Sequence, residues 1–297
     1  MRKHITGRGA ASGWSKTRAT LRGLGLIVGL VGLSAWGLTY GRVGHPAWAR
    51  LRQFRYAHRG LHDTVTPENS LAAFRRAVAA GYGAELDVHL TRDGRLAVIH
   101  DADLARMTGR SATVEDSTSA ELASLTLAGT DQTIPLLDDV LPLFESTTAL
   151  IVEIKPVGGN HAELTAATMS CLDRFNLDYC VESFDPRVLA WLKRHRPEVV
   201  RGQLTQDFLR PGEDAGLAWI LRFALTHLLG NVIARPDFVA IRFEDRGLGA
   251  HTLCCSGWGM QGMYWTIQSQ AEQDVAERDD HLIIFEGYVP AGDWPKN

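Results

Sequence analysis

Residues 70–90 read SLAAFRRAVAAGYGAELDVHL. In the first half, Leu71, Phe74 and Val78 recur at helical spacing with Arg75 and Arg76 on the other face, which predicts an amphipathic helix over 70–81. Asn69 is a suitable N-cap for it and Gly81 a suitable stop. In the second half the pattern changes to period two. Glu85 and Asp87 fall on one face of a strand, and Ala84, Leu86 and Val88 on the other. The same alternation of short apolar runs and helical patterns continues outward. Strands are predicted at 54–57, 84–90, 149–154, 178–183, 198–204, 237–242, 262–267 and 282–286, and further helices at 163–175, 186–195 and 269–279. Eight strands alternating with helices predict an α/β protein, a (β/α)8 TIM barrel, which occupies ~250 residues as one unit.

One segment, 101–137, carries turn residues and no long periodic element, and is read as a short insertion after the second strand, over the C-terminal face. The chain has too little length after the eighth strand for a full eighth helix, and the segment before Phe54 is expected to cover that gap.

Charge is uneven. Residues 1–22 hold six Lys or Arg and no acid, leaving the remainder with 25 basic against 34 acidic residues. An acidic body argues against nucleic acid as a partner and suits a bound cation. The run 23–41, GLGLIVGLVGLSAWGLTYG, carries no charge, and as a helix at ~1.5 Å per residue it spans a bilayer core. The domains are therefore a basic cytoplasmic tail (1–22), a transmembrane anchor or signal segment (23–41) and a barrel domain (50–297). The basic tail predicts a cytoplasmic N-terminus, hence a single-pass protein of the cytoplasmic membrane with its catalytic domain outside. The alternative is a secreted or periplasmic protein released near Ala49, where Ala47-Trp48-Ala49 resembles a cleavage site. Cys171, Cys180, Cys254 and Cys255 lack metal or redox spacing and are read as buried filler.

Glu85 and Asp87, both facing the barrel interior, need a neutralising partner. Glu153 and Lys155 in LIVEIKP (150–156) repeat the spacing on the next strand. Glu85, Asp87 and Glu153 form a candidate three-carboxylate site for Mg²⁺ or Ca²⁺, with Lys155 reaching a phosphate oxygen. The same residues also fit a salt-bridge network of Glu85, Asp87, Lys155 and Arg59. His58 and His100 end strands beside these groups. Two imidazoles near an anion clamp supply what phosphodiester cleavage needs, one taking a proton from the nucleophile and the other protonating the leaving alkoxide. Arg59 and a cation would stabilise charge on the non-bridging oxygens.

The stretch from AHRGLHD (57–63) through PENS (67–70), ELDV (85–88), TRDG (91–94) and HD (100–101) to Gly109 resembles the glycerophosphodiester phosphodiesterase family, and the likeness continues through LIVEIKP, VESFDP (181–186), MYWTIQSQ (263–270) and IIFEGYVP (283–290). The resemblance implies His58 and His100 as the acid–base pair, Arg59 and Lys155 on the phosphate, and Glu85, Asp87 and Glu153 on the metal. Trp265 matches a tryptophan that walls the glycerol, against the plain reading of a core aromatic. Glu68 and Asn69 match a block that caps the first helix or touches substrate. The implied reaction releases glycerol 3-phosphate and an alcohol from a small glycerophosphodiester, by direct water attack or through a cyclic phosphate. The eighth strand departs from the family pattern: Glu286 stands where an Asp-bearing block is usual, with a polar headgroup and Arg59 as its candidate partners.

The apolar stretch 216–234 is expected to pack on the barrel or to lie against a bilayer and guide lipid substrates. That keeps a lysophospholipase D-like activity as the alternative enzyme reading. A non-catalytic binding module on the same barrel is disfavoured, because every residue needed for turnover is present.

Overall fold

A computed structural model describes residues 34, 37–212 and 216–292. Nine strands are described: β1 Tyr56–Ala57, β2 Gly83–Leu90, β3 Leu96–Val98, β4 Leu150–Ile154, β5 Tyr179–Ser183, β6 Arg201–Thr205, β7 Phe238–Arg242, β8 Gln261–Ile267 and β9 Leu282–Phe285. All but β3 are parallel, and the pairing of β1 with both β2 and β9 closes eight of them into a barrel. The predicted barrel thus forms, with each strand within a few residues of its expected place.

Alternation along the strands sets what fills the interior. Outward residues such as Leu86, Val88, Val152 and Ile154 pack beneath the surrounding helices. Inward residues Tyr56, Ile151, Cys180, Phe238, Met263 and Ile284 form an apolar floor. Two residues further along the same inward series come His58, Glu153, Glu182, Trp265 and Glu286, so the interior changes from apolar to functional within one pleat. The floor is tight at Gly202, where a Cβ would overlap the Phe238 ring.

The segment before Phe54 does something other than stand in for an eighth helix. A short helix, Trp48–Leu51, inserts Trp48 and Leu51 into the floor cluster. Trp48 meets Phe238 edge-on at 5.6 Å between ring centroids. It therefore plugs the N-terminal end of the barrel, and a chain cut at Ala49 would lack that plug. Packing begins further upstream still: Arg42 pairs with buried Asp237 (Nη2 to Oδ2, 2.7 Å), and Asn231 Nδ2 donates to Thr39 O at 2.8 Å. The basic tail and most of the expected span 23–41 lie outside the described residues. Among the described residues, no helix is long and apolar enough to cross a membrane.

The helix expected over 70–81 runs Leu71–Ala79, and its cap is Ser70, whose side chain accepts from Ala73 N, rather than Asn69. Gly81 follows it with φ +77°, the left-handed stop expected there. Residues 101–137 hold only short helices, Ala105–Thr108 and Ser119–Ala123, over a small core of their own that includes Ile99, Leu104, Val114 and Leu122. Residues 216–234 form two helices, Trp219–Thr226 and Asn231–Ala234.

Replacing Trp48 removes a buried indole from the floor without touching the mouth. Trp48→Ala is expected to destabilise the full chain by about 3–5 kcal/mol, read as a lower midpoint in urea with the slope unchanged. A midpoint equal to that of the parent would show that the plug does not close the barrel.

Candidate active site

Every predicted site residue except Asp87 lines one cavity of about 1080 Å³ at the C-terminal mouth of the barrel, and Asp87 is buried at its floor. The local chain geometry explains how they arrive there. His58 follows β1, held by its N–H to Phe285 O on β9 (2.9 Å). Arg59 then adopts φ +52° and Gly60 φ +80°. This left-handed step turns the Arg59 N–H onto Glu85 Oε2 at 3.0 Å. The Arg59 guanidinium is fixed by Glu68 (2.7 Å), which Arg106 also grips (2.7 Å), and it lies 3.6 Å from Asp87. Glu68 and Asn69 thus both serve the site: Asn69, at φ +54°, donates from Nδ2 to Asp87 Oδ2 at 2.8 Å.

His100 reaches the mouth by a hairpin. After the turn at 91–94, β3 runs back antiparallel along β2, with Val98 beside Val88 and the Ile99 N–H on Asp87 O. His100 is thereby returned to the level of the carboxylates instead of standing beyond the strand ends.

Glu85 and Asp87 share the inward face of β2, and in the sheet register Asp87 lies beside Glu153 and Glu153 beside Glu182. Glu85, Asp87 and Glu153 bring ligand oxygens within 4.8 Å of one another. Lys155 Nζ donates to Glu153 Oε1 (2.9 Å) and lies 3.2 Å from Asp87 Oδ1. The salt-bridge network read from the sequence is therefore real. It is also incomplete. Four buried carboxylates face two cations, Arg59 and Lys155, and Glu85 Oε1 and Glu182 Oε2 find no hydrogen-bond donor among the described residues. A site that lacks two positive charges and exposes hard oxygen donors fits a divalent cation.

The electrostatics agree. Burial, then the neighbouring Asp87 and Glu153, push Glu85 well up, and Glu182 is raised by burial and Glu153. Glu153 is pushed up to about 7, by burial against the opposing pull of Lys155. Asp87 behaves oppositely: burial would raise it, but Lys155, His100 and Arg59 hold it far below the usual carboxylate range. Lys155 stays charged, since Glu153 and Asp87 outweigh the effect of burial.

Each histidine has its own carboxylate. His58 Nδ1 lies 2.5 Å from Glu286 Oε2, and His100 Nδ1 lies 2.6 Å from Asp101 Oδ1. Both Nδ1 atoms donate, which leaves Nε2 of each ring free for chemistry. Burial lowers both imidazoles, His100 to about 4, so both rest neutral. Glu286 thus pairs with His58 and not with Arg59, the protein partner expected for it; the carboxylate also receives Gln268 Nε2 and lies 3.6 Å from His62. Sequence reasoning also assigned no role to Glu182. Its signal was the inward parity it shares with Cys180 on β5. On the opposite wall, Trp265 stands edge-on to Phe184 at 5.7 Å, followed by Phe208, Leu217, Leu221 and Leu225.

The C-terminal mouth of a parallel barrel thus gathers two histidine–carboxylate couples, the cations Arg59 and Lys155 and a carboxylate cluster. The chain belongs to the glycerophosphoryl diester phosphodiesterase family, whose sequence model matches residues 58–252. A glycerophosphodiester phosphodiesterase of Bacillus altitudinis is 34% identical over 165 residues, 52% of this chain and 67% of that one. A lysophospholipase D of Rattus norvegicus is 39% identical over 93 residues, 27% of this chain and 30% of that one. In fold, the chain is similar to a phosphodiesterase of Oleispira antarctica solved with its product sn-glycerol-3-phosphate. That likeness has a TM-score of 0.66 at 23% identity, over 82% of this chain and 95% of that one.

Between the ordinary 4.5 and about 7, the folded protein keeps a proton on Glu153 that the unfolded chain has released, so this burial costs stability progressively as pH rises through that window. A cation held by the carboxylates would take the place of that proton. Saturating Mg²⁺ or Ca²⁺ is therefore expected to raise the melting temperature more at about pH 8 than at about pH 5. Equal gains at both pH values would separate the carboxylates from cation binding.

Proposed function

We propose that the chain hydrolyses glycerophosphodiesters to glycerol 3-phosphate and an alcohol, with His58 and His100 as the acid–base pair. The observation that carries this reading is the pair of histidine–carboxylate couples, His58–Glu286 and His100–Asp101, facing one cleft from different strands. Arg59 and Lys155 bind the phosphodiester and hold its non-bridging oxygens. One imidazole accepts the proton of the attacking hydroxyl, whether of water or of the substrate's glycerol, and the other returns a proton to the departing alkoxide. An anionic phosphate between them raises the pKa of the imidazole that must carry a proton. Glu286 and Asp101 keep each Nε2 aimed into the cleft and stabilise the imidazolium as it forms, as an orienting carboxylate does in other acid–base couples. Glu85, Asp87 and Glu153 would hold a divalent cation, which when bound supplies electrophilic stabilisation of phosphate charge. Trp265 and Phe184 wall off the glycerol and exclude water from it.

Release of glycerol 3-phosphate from glycerophosphocholine by the full chain tests this directly. His58→Ala and His100→Ala should each lower kcat by about 10²–10⁴-fold, and exhaustive chelation should abolish turnover, with Mg²⁺ or Ca²⁺ restoring it. Near-parental rates in either variant would remove that histidine from the chemistry, and turnover indifferent to chelation would remove the cation.

A second reading rests on the apolar wall. Leu217, Leu221 and Leu225 line the cavity, while Trp219 and Ile220 beside them are 65% and 72% exposed. A slope of this kind, running from the cleft to solvent, suits a substrate that retains one acyl chain. Leu221→Asp is then expected to depress headgroup release from lysophosphatidylcholine far more than from glycerophosphocholine. A uniform effect on both substrates would limit the enzyme to deacylated diesters.

A further inference from the structure

A second group of metal-ligating side chains lies outside the barrel, on the flank nearer its N-terminal end. His251 sits in the helix Gly249–Thr252, and Cys255 lies four residues on, within a wider, π-type turn over Leu253–Gly257. That spacing puts both on one helical face. Local π-type widening of a helix is frequent at functional sites. His281 immediately precedes β9 and packs the Nε2 side of its ring against Gly262 near the start of β8, where any Cβ would overlap it. One ligand atom from each of the three falls within 4.8 Å of the others.

The hydrogen bonds show which atoms are available. His281 Nδ1 donates to Asp279 O at 2.6 Å, and His251 Nδ1 donates to Arg246 O at 3.3 Å. A carbonyl accepts only, so both rings carry their proton on Nδ1 and present a bare lone pair at Nε2. His251 is 3% exposed and His281 8%, and neither Nε2 has a hydrogen-bond partner among the described residues. Two buried acceptors with no donor are an anomaly for ordinary packing. Imidazoles fixed by Nδ1–H to carbonyl, with Nε2 left open, are what a metal's outer shell imposes. Tyr264 lies tilted against His281, ring centroids 4.5 Å apart, and closes one side, its own hydroxyl committed to Asp279.

We propose that His251, Cys255 and His281 bind a borderline-soft divalent transition metal, Zn²⁺ by chemical class, as a site separate from the carboxylates in the barrel mouth. Two neutral nitrogens and one thiolate are the donors such an ion prefers, and Mg²⁺ or Ca²⁺ has no oxygen set here. The Cys255 thiol gives up its proton on binding, and solvent completes the fourth position beside this partly buried residue. The ion would tie the helix before β8 to the loop before β9, a cross-link across the intervening strand and helix Gln270–Arg278.

Cobalt(II) is a spectroscopic probe of this donor set. The metal-stripped full chain, held in saturating Mg²⁺ and titrated with Co²⁺, should develop a thiolate-to-cobalt charge-transfer band together with intense visible bands of a tetrahedral ion. Cys255→Ser should abolish the first, and His281→Gln should weaken both. Zn²⁺ in the same buffer should raise the melting temperature of the parent and leave that of Cys255→Ser unmoved, while phosphodiester hydrolysis by Cys255→Ser stays at the parental rate. The parental spectrum alone decides the matter where a variant does not fold. No thiolate band in the parent, or a band retained without Cys255, overturns the proposal.

Discussion

Charge buried in the mouth of the barrel is the constraint around which this protein is arranged. Glu85, Asp87, Glu153 and Glu182 stand on three neighbouring strands, nearly without solvent, and two cations cannot neutralise them. Most of the unusual backbone nearby exists to distribute that charge. The left-handed Arg59 and Asn69 each turn a donor onto a strand carboxylate, Arg59 through its N–H onto Glu85 and Asn69 through its amide onto Asp87. Strained φ values of this kind cost of order 1–3 kcal/mol each and persist only where the surroundings over-determine them. Here the donors they deliver offset a larger penalty, that of anionic oxygen left bare in a low dielectric.

The same principle extends to the histidines. Burial alone would leave His58 and His100 as neutral rings free to choose either tautomer. Glu286 and Asp101 remove that freedom. Each couple is anchored again from behind, Glu286 by Gln268 and Asp101 by Arg106, and Arg106 also reaches Glu68 and so the anion clamp. The cleft is thus one connected network, and a change at Glu68 or Arg106 is expected to be felt at Arg59 and His100 together.

Much of this was legible in the sequence wherever the decisive contacts are local in chain or repeat along a strand. The period of two around Glu85 and Asp87 gave their shared face, and the change of period at Gly81 marked the helix-to-strand junction. Residues whose role depends on closure were harder. Glu286 meets His58 only because β9 pairs with β1, a contact between the two ends of the barrel, and Glu182 joins the carboxylates only through the register of β4 against β5. Trp48 was hidden for a different reason. Within Ala47-Trp48-Ala49 after an apolar run, it looks like part of a cleavage site, and only its edge-on contact with Phe238 in the floor cluster shows what it does. Asn69 was misread as a cap because Ser70 beside it caps equally well by residue type.

His251 and His281 were passed over because a separation of 30 positions hides a cluster that folding assembles across β8. Their contrast with the mouth is chemical. The cluster of Glu85, Asp87 and Glu153 offers carboxylate oxygens, hard and anionic, whereas the flank offers two neutral nitrogens and a thiol. A hard cation gains little from the flank, and a borderline one that binds carboxylates as well binds nitrogen and sulfur more tightly. Two such donor sets in one chain can therefore sort two kinds of cation without a gate, each by the identity of its ligands. The barrel wall between them keeps the carboxylates from completing the coordination shell on the flank, and it keeps the thiol out of the cleft proposed for phosphate.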